Sequence, residues 1–153
     1  MYLRIGEDEM PKKIMIVDDS PEIAFGAKFS LEKIDSEFQV FSAESGEKCF
    51  ELLNNNLHPD LILLDIMMPE MNGWRVYQEL RKHSEWKKIP VVFLTAKTDS
   101  CSKSLGKTLG QAFMEKPFDP QELKHRIDQI LDNPQKISGL KDQIIEDTLK
   151  AFF

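Results

Sequence analysis

The stretch LILLDIMMPEMNG, residues 61 to 73, decides how the chain is interpreted. Residues 61 to 64 form a continuous apolar run, which is typical of a strand buried on both faces of a parallel sheet. Asp65 ends this run, Pro69 breaks the chain after it, and Gly73 lets the chain enter a new helical pattern. The stretch predicts a central strand whose last residue presents a carboxylate at the edge of the sheet.

The pattern of this stretch recurs along the chain. The other short apolar runs predict strands over residues 14–17, 38–41, 90–95 and 112–115. Helical spacing predicts helices over residues 21–33, 45–54, 73–83, 100–109 and 120–131, with Ser20 and Asp119 as N-caps of the first and last. Because strands and helices alternate, the strands are expected to be parallel and joined by right-handed crossovers. The sequence predicts an α/β fold with a doubly wound five-stranded parallel sheet and helices on both faces.

The length of 153 residues fits one domain with short extensions. We predict an N-terminal extension over residues 1–11, the domain over residues 12–131 and a C-terminal extension over residues 132–153. The extension contains LKDQIIEDTLKAFF, residues 140 to 153, whose apolar residues form one arc of an amphipathic helix. That helix can pack back on the domain, form a homodimer or partner surface, or link the domain to a further part of a longer protein.

Charge and composition exclude several classes of function. The formal charge of −6, without a basic stripe, argues against direct nucleic acid binding. No apolar run reaches the roughly 18 residues that span a bilayer, so we expect no membrane segment and a cytoplasmic protein. Cys49 and Cys101 are isolated, which indicates two reduced thiols and neither a zinc site nor a disulfide framework.

Five polar residues end the predicted strands: Asp18, Asp19, Asp65, Thr95 and Lys116. Taken singly, each has a plainer explanation as a cap, a strand-end hydroxyl or a surface lysine. Taken together they are expected to meet, because ligands of doubly wound sheets bind at the carboxyl ends of the strands. These residues are the candidate functional site.

The chemistry of this set favours phosphoryl transfer. Converging carboxylates repel one another unless a cation lies among them, and oxygen ligands of this kind favour Mg²⁺. Lys116 and Thr95 can contact phosphate oxygens, while Asp65 can act as a nucleophile that forms an acyl phosphate. The sequence has no P-loop and no kinase catalytic loop, so we expect the protein to receive phosphate and not to draw it from ATP.

Four motifs together resemble the receiver domain of two-component response regulators, the CheY-like superfamily. They are IMIVDDSPE (14–22), LILLDIMMPEMNG (61–73), VVFLTA (91–96) and EKPF (115–118). The resemblance implies a flavodoxin-like strand order 2-1-3-4-5 and a phospho-accepting signalling domain, and not an enzyme acting on a separate substrate.

The resemblance also implies roles for the acidic residues. Asp65 is similar to the phosphoacceptor, which takes its phosphoryl group from a sensor histidine kinase or a histidine phosphotransfer protein. Asp19 would ligate Mg²⁺ directly and Asp18 through water, with the backbone carbonyl of Met67 as a further ligand.

The remaining family positions lie on the last two strands. Thr95 resembles the switch hydroxyl, Phe113 the switch aromatic, and Lys116 the lysine that pairs with the phosphoryl group. Pro117 stands where the family usually has a cis peptide bond. The interval from Thr95 to Lys116 is one residue shorter than is usual.

The resemblance implies an output through protein contacts. The expected surface comprises the predicted helix 100–109, strand 112–115 and helix 120–131, and it would bind a downstream protein target. A phosphorelay intermediate and a non-phosphorylated docking scaffold are the alternatives. A phosphatase of the haloacid dehalogenase class is disfavoured because DIMMP, residues 65 to 69, lacks the second acid of that motif.

Overall fold

A computed structural model describes residues 10–96, 112–133 and 140–152. The strands are β1 (Lys12–Val17), β2 (Phe38–Ala43), β3 (Leu61–Asp65), β4 (Val91–Thr95) and β5 (Phe113–Glu115). They form one parallel sheet in the order β2-β1-β3-β4-β5. This confirms the predicted fold class and strand order. Strand β2 runs past the predicted residue 41, because Ser42 and Ala43 continue the pairing with β1.

The described part of the chain contains five helices. They are α1 (Pro21–Ile34), α2 (Gly46–Asn54), α3 (Gly73–Lys82), α4 (Pro120–Asp132) and α5 (Leu140–Phe152). The first four begin at caps whose side chains accept backbone N–H groups, and these caps are Ser20, Ser45, Asn72 and Asp119. The predicted helix over residues 100–109 lies outside the described residues. Within the described ranges, no helix has the length and apolarity to cross a bilayer.

Strand β3 lies between two hydrophobic cores, one on each face of the sheet. All of its residues are buried, and they alternate between the faces of the sheet. Leu61 and Leu63 face the core formed with α1 and α4, whereas Ile62 and Leu64 face the core formed with α2 and α3. The continuous apolar run of β3 is therefore explained by helices on both faces.

Side chains from the helices cap both edge strands. On β2, the N–H of Val40 donates to Glu32 Oε1 at 2.9 Å, and the carbonyl of Val40 accepts from Lys28 Nζ at 2.8 Å. On β5, the carbonyl of Phe113 accepts from Arg126 Nη1 at 2.7 Å. These backbone groups are satisfied without a further strand.

Helix α5 packs back on the domain. Ile145 is buried in the core on the α3 side of the sheet, and Ile144 packs against that core. Asp142 accepts a hydrogen bond from the Tyr77 hydroxyl and pairs with Arg81 Nε at 3.2 Å. Of the interpretations left open by the sequence, this contact within one chain is the one observed.

Candidate functional site

The register of β1 and β3 brings the first pair of acids together. Val17 is level with Leu64 in the parallel pair, so Asp18 and Asp65, which follow them, emerge side by side. Both carboxylates are buried, whereas the neighbouring Asp19 is exposed. The N–H of Asp18 donates to the carbonyl of Ala43 at 3.0 Å, which anchors the end of β1 to β2. The fold thus fixes the two buried acids through the backbone.

Lys116 reaches the acids from β5. Its backbone N–H donates to the carbonyl of Thr95 at 2.8 Å, which ties the ends of β4 and β5 together. Its ammonium Nζ lies 2.6 Å from Asp18 Oδ2 and 3.0 Å from Asp65 Oδ1. The contact with Asp65 is an aligned hydrogen bond, and the contact with Asp18 is an ion pair. The sequence predicted Lys116 near Asp65 but not the bridge to Asp18.

The acids fit a divalent cation. Asp18, Asp19 and Asp65 each offer an oxygen, and these oxygens lie within 4.8 Å of one another. Such an all-oxygen set suits Mg²⁺, which binds few protein carboxylates and keeps several waters. Lys116 supplies one positive charge against three carboxylates. The excess of negative charge that remains can be balanced by a bound cation. The carbonyl of Met67 stays a prediction, since only the resemblance supports it.

The electrostatics of Asp65 are unusual for an aspartate. Burial, reinforced by the charge of Asp18, raises its pKa to about 6, although Lys116 and its positive charge act in the opposite direction. For Lys116, burial lowers the pKa, but the close contacts with Asp18 and Asp65 and their negative charges outweigh burial and leave the pKa raised. Lys116 is therefore a permanent cation. A cation bound beside Asp65 would favour its charged, nucleophilic form.

The loop after β3 is held against Asp65. The N–H of Gly73 donates to the carbonyl of Ile66 at 2.9 Å, and Glu70 has a φ of 65° in the turn between them. A Cβ on Gly73 would lie only 2.3 Å from the carbonyl oxygen of Asp65 and 2.8 Å from Ile66 Cα. The sequence explained Gly73 only as a helix entry. The contact with Asp65 was missed because no local pattern reports it.

Thr95 and Phe113 are buried on the neighbouring strands. The Phe113 ring stacks on Phe93 with centroids 5.2 Å apart and is tilted against Trp74 at 6.1 Å. This places Phe113 in the aromatic core and not among the carboxylates. The Lys116–Pro117 peptide bond is cis, as the resemblance implied. The switch roles of Thr95 and Phe113 stay predictions.

Comparisons with known proteins agree with this geometry. The family model described as "Response regulator receiver domain" matches residues 14–128. The chain is 37% identical over 123 residues to the alkaline phosphatase synthesis transcriptional regulatory protein PhoP of Bacillus subtilis, covering 80% of this chain and 49% of that protein. It is 34% identical over 129 residues to the response regulator Rre1 of Synechocystis sp., covering 84% of this chain and 55% of that protein.

Solved structures show the same similarity. The signal receiver domain of a signal transduction histidine kinase from Syntrophus aciditrophicus superimposes with a TM-score of 0.67 at 28% identity, covering 81% of this chain and 92% of that chain. The chain spans about half the length of the curated relatives that it matches.

Proposed function

The chain belongs to the response regulator receiver domain family of two-component signalling, and we propose that Asp65 is the residue that accepts the phosphoryl group. Family membership makes the chain a phospho-accepting signalling domain. The observation that carries the assignment to Asp65 is the position of Lys116 Nζ, within 3.0 Å of Asp65 and 2.6 Å of Asp18. A buried carboxylate beside a fixed cation can serve as a nucleophile toward phosphorus.

The donor we propose is a phosphohistidine of a sensor histidine kinase or a histidine phosphotransfer protein. An oxygen of Asp65 attacks phosphorus, a P–O bond forms and the P–N bond breaks. The electron pair of that bond returns to the imidazole nitrogen of the donor. Lys116 contacts both acids through one ammonium group, so it can exchange a carboxylate oxygen for a phosphoryl oxygen. The hydroxyl of Thr95 would donate to a second phosphoryl oxygen.

Mg²⁺ is the proposed cofactor. Asp18, Asp19 and Asp65 would hold it, together with the carbonyl of Met67, and the ion would neutralise charge on the transferring group. The backbone hydrogen bond at Asp18 and the burial of both inner acids keep these carboxylates in place. Their positions are therefore set by the fold before a phosphodonor arrives.

We propose that the output is a change in protein contacts driven by Thr95 and Phe113. Candidate partners are a downstream protein target or the next member of a phosphorelay, in the cytoplasm. The formal charge of −6 argues against direct nucleic acid binding by this domain. A homodimer remains a second form of protein contact. We propose no enzymatic activity on a separate substrate, beyond catalysis by the domain of its own phosphotransfer and dephosphorylation.

The assignment to Asp65 is tested by incubating the chain with acetyl phosphate and Mg²⁺ and measuring its intact mass. The expected result is a gain of one phosphoryl group that disappears in Asp65→Asn. Asp60→Asn is the matched control, since Asp60 is exposed and only caps the N–H of Lys13 at 2.8 Å. It is expected to gain the same mass as the parent. No gain in the parent, or a gain that persists in Asp65→Asn, would refute the assignment.

A further inference from the structure

We propose that α5 is an intramolecular clip on α3 and that phosphorylation of Asp65 loosens it. The clip is defined as Asp142 on α5 together with Tyr77 and Arg81 on α3. This inference rests on the proposed function, because it needs a phosphoryl group at Asp65. It assigns a regulatory task to residues 140–152, which lie beyond the residues matched by the family model.

The polar part of the clip joins the buried Tyr77 to a partly buried ion pair. The Tyr77 hydroxyl donates to Asp142 Oδ1, and Arg81 Nε lies 3.2 Å from the same oxygen. The Arg81 guanidinium is stacked over the Tyr77 ring at 4.6 Å and also donates to the carbonyl of Ile89 at 3.0 Å. Arg81 is therefore also held by contacts that do not involve α5. Burial raises the pKa of Tyr77, so its hydroxyl stays a donor.

The apolar part of the clip joins α5 to the central core. Ile145 is only 3% exposed and belongs to the cluster that contains Tyr77, Phe93 and Phe113. A buried isoleucine beside a partly buried ion pair favours one docked position, because sliding the helix would break both contacts. Helix α5 is therefore held in register.

Helix α3 connects the clip to the acidic site. Its first residue, Gly73, lies so close to Asp65 that a Cβ would come within 2.3 Å of the Asp65 carbonyl oxygen. One turn later on the same helix, Tyr77 contacts Asp142. The Gly73 N–H also donates to the carbonyl of Ile66 at 2.9 Å, so a displacement of the segment that follows Asp65 is expected to be passed to the start of α3.

A second route runs through the aromatic rings. Phe113 precedes Lys116 by three residues on the short strand β5, and its ring stacks on Phe93. The Phe93 ring in turn lies 5.3 Å from Tyr77. Both routes from the acids thus end at Tyr77.

The contacts of Lys116 indicate why phosphorylation of Asp65 should loosen α5 and not tighten it. In the arrangement with α5 docked, Lys116 bridges Asp18 and Asp65. A phosphoryl group on Asp65 offers Lys116 new oxygens and removes the contact with Asp65 Oδ1. Movement of Lys116 away from Asp65 is expected to shift β5 and so to disturb the Phe113–Phe93–Tyr77 packing on which Asp142 docks, which would hold α5 less tightly. The coupling is reciprocal, so loosening α5 must favour the phosphorylated arrangement equally.

Hydrogen exchange of the full chain tests the proposal, with beryllium fluoride and Mg²⁺ as a phosphoryl mimic. We expect the amides of residues 140–152 to exchange at least about five-fold faster with the mimic, the lower end of usual allosteric couplings. The amides of residues 66–73 should exchange more slowly, which reports binding of the mimic. Slower exchange at 66–73 with unchanged or slower exchange at 140–152 would overturn the clip alone. Unchanged exchange at 66–73 would overturn the proposed function and the clip with it.

Conservative variants test the reciprocal effect. Tyr77→Phe keeps the ring in the core, and Asp142→Asn keeps the size of the side chain. Both should bind the mimic about five-fold more tightly than the parent. Asp147→Asn is the matched control, because Asp147 is exposed and bonds Gln143 within α5. Equal affinity in the parent and both clip variants, or the same gain in Asp147→Asn, would overturn the coupling.

Discussion

Replacing Gly73 by alanine should damage both stability and phosphorylation. The added Cβ would lie 2.3 Å from the Asp65 carbonyl oxygen and 2.8 Å from Ile66 Cα, whereas ordinary contact begins at 3.4 Å. The backbone at the end of β3 must therefore retreat by about 1 Å, since densely packed interiors leave little slack. Overpacking usually costs about 1–3 kcal/mol, and we expect the upper end because both blocking groups are backbone.

The same retreat should slow phosphorylation. A misplacement of about 1 Å at a reacting group can cost on the order of 100-fold in rate, because the group leaves its line of attack. Urea unfolding with linear extrapolation measures the loss of stability, and the time course of mass gain from acetyl phosphate measures the rate.

Gly26→Ala provides the matched control for Gly73→Ala. Gly26 lies on the exposed face of α1, and a Cβ there would meet nothing within 4 Å. An alanine inside an exposed helix is expected to stabilise the fold by up to about 1 kcal/mol and to leave the phosphorylation rate unchanged. Equal stability of the parent and Gly73→Ala, or an equal effect of both alanines, would refute the steric reasoning.

Two further predictions concern charge. In magnesium-free buffer, Asp65→Asn should stabilise the fold at pH 7 by up to about 3 kcal/mol, because folding raises the pKa from 3.8 to about 6 and so penalises the charged form. The stability gained in Asp65→Asn should grow as pH rises from about 4 to 6. A gain in the free energy of urea unfolding that does not depend on pH would contradict this prediction. Glu32→Gln should cost about 1 kcal/mol or less at pH 7, because the Val40 N–H and Lys28 lower the pKa of Glu32. The stability lost in Glu32→Gln should disappear as pH falls through the lowered pKa of Glu32. Glu51→Gln is the control, because Glu51 belongs to an exposed ion pair on α2, and it should change the free energy of unfolding less in the same series.

The sheet could be predicted because the sequence patterns that specify its strands are local. Apolar runs such as residues 61–64 report burial on both faces, and the alternation with helices fixes parallel pairing. Once the strands are parallel, their carboxyl ends must share an edge, so the meeting of Asp18, Asp65 and Lys116 followed from the topology. The strand order came from the family resemblance.

Contacts between distant segments could not be predicted in the same way. Periodicity indicated that residues 140–153 form an amphipathic helix, but it does not say which surface the apolar arc covers. The partners of Asp142 lie more than 60 residues earlier, as the separations of 65 and 61 residues to Tyr77 and Arg81 show. The contact of Gly73 with Asp65 likewise depends on how a loop folds over a strand end.

The capped edge strands limit how copies of this chain can assemble. A foreign strand adding to β2 would have to displace Glu32 and Lys28 from Val40, and one adding to β5 would have to displace Arg126 from Phe113. Each displacement exchanges a charge-assisted hydrogen bond for an ordinary one, so these two edge positions are poor templates for a further strand. Pairing of a further strand at Val40 or at Phe113 is thereby disfavoured, so contacts between copies of this domain are more favourable elsewhere on its surface than at these two points of the sheet edges.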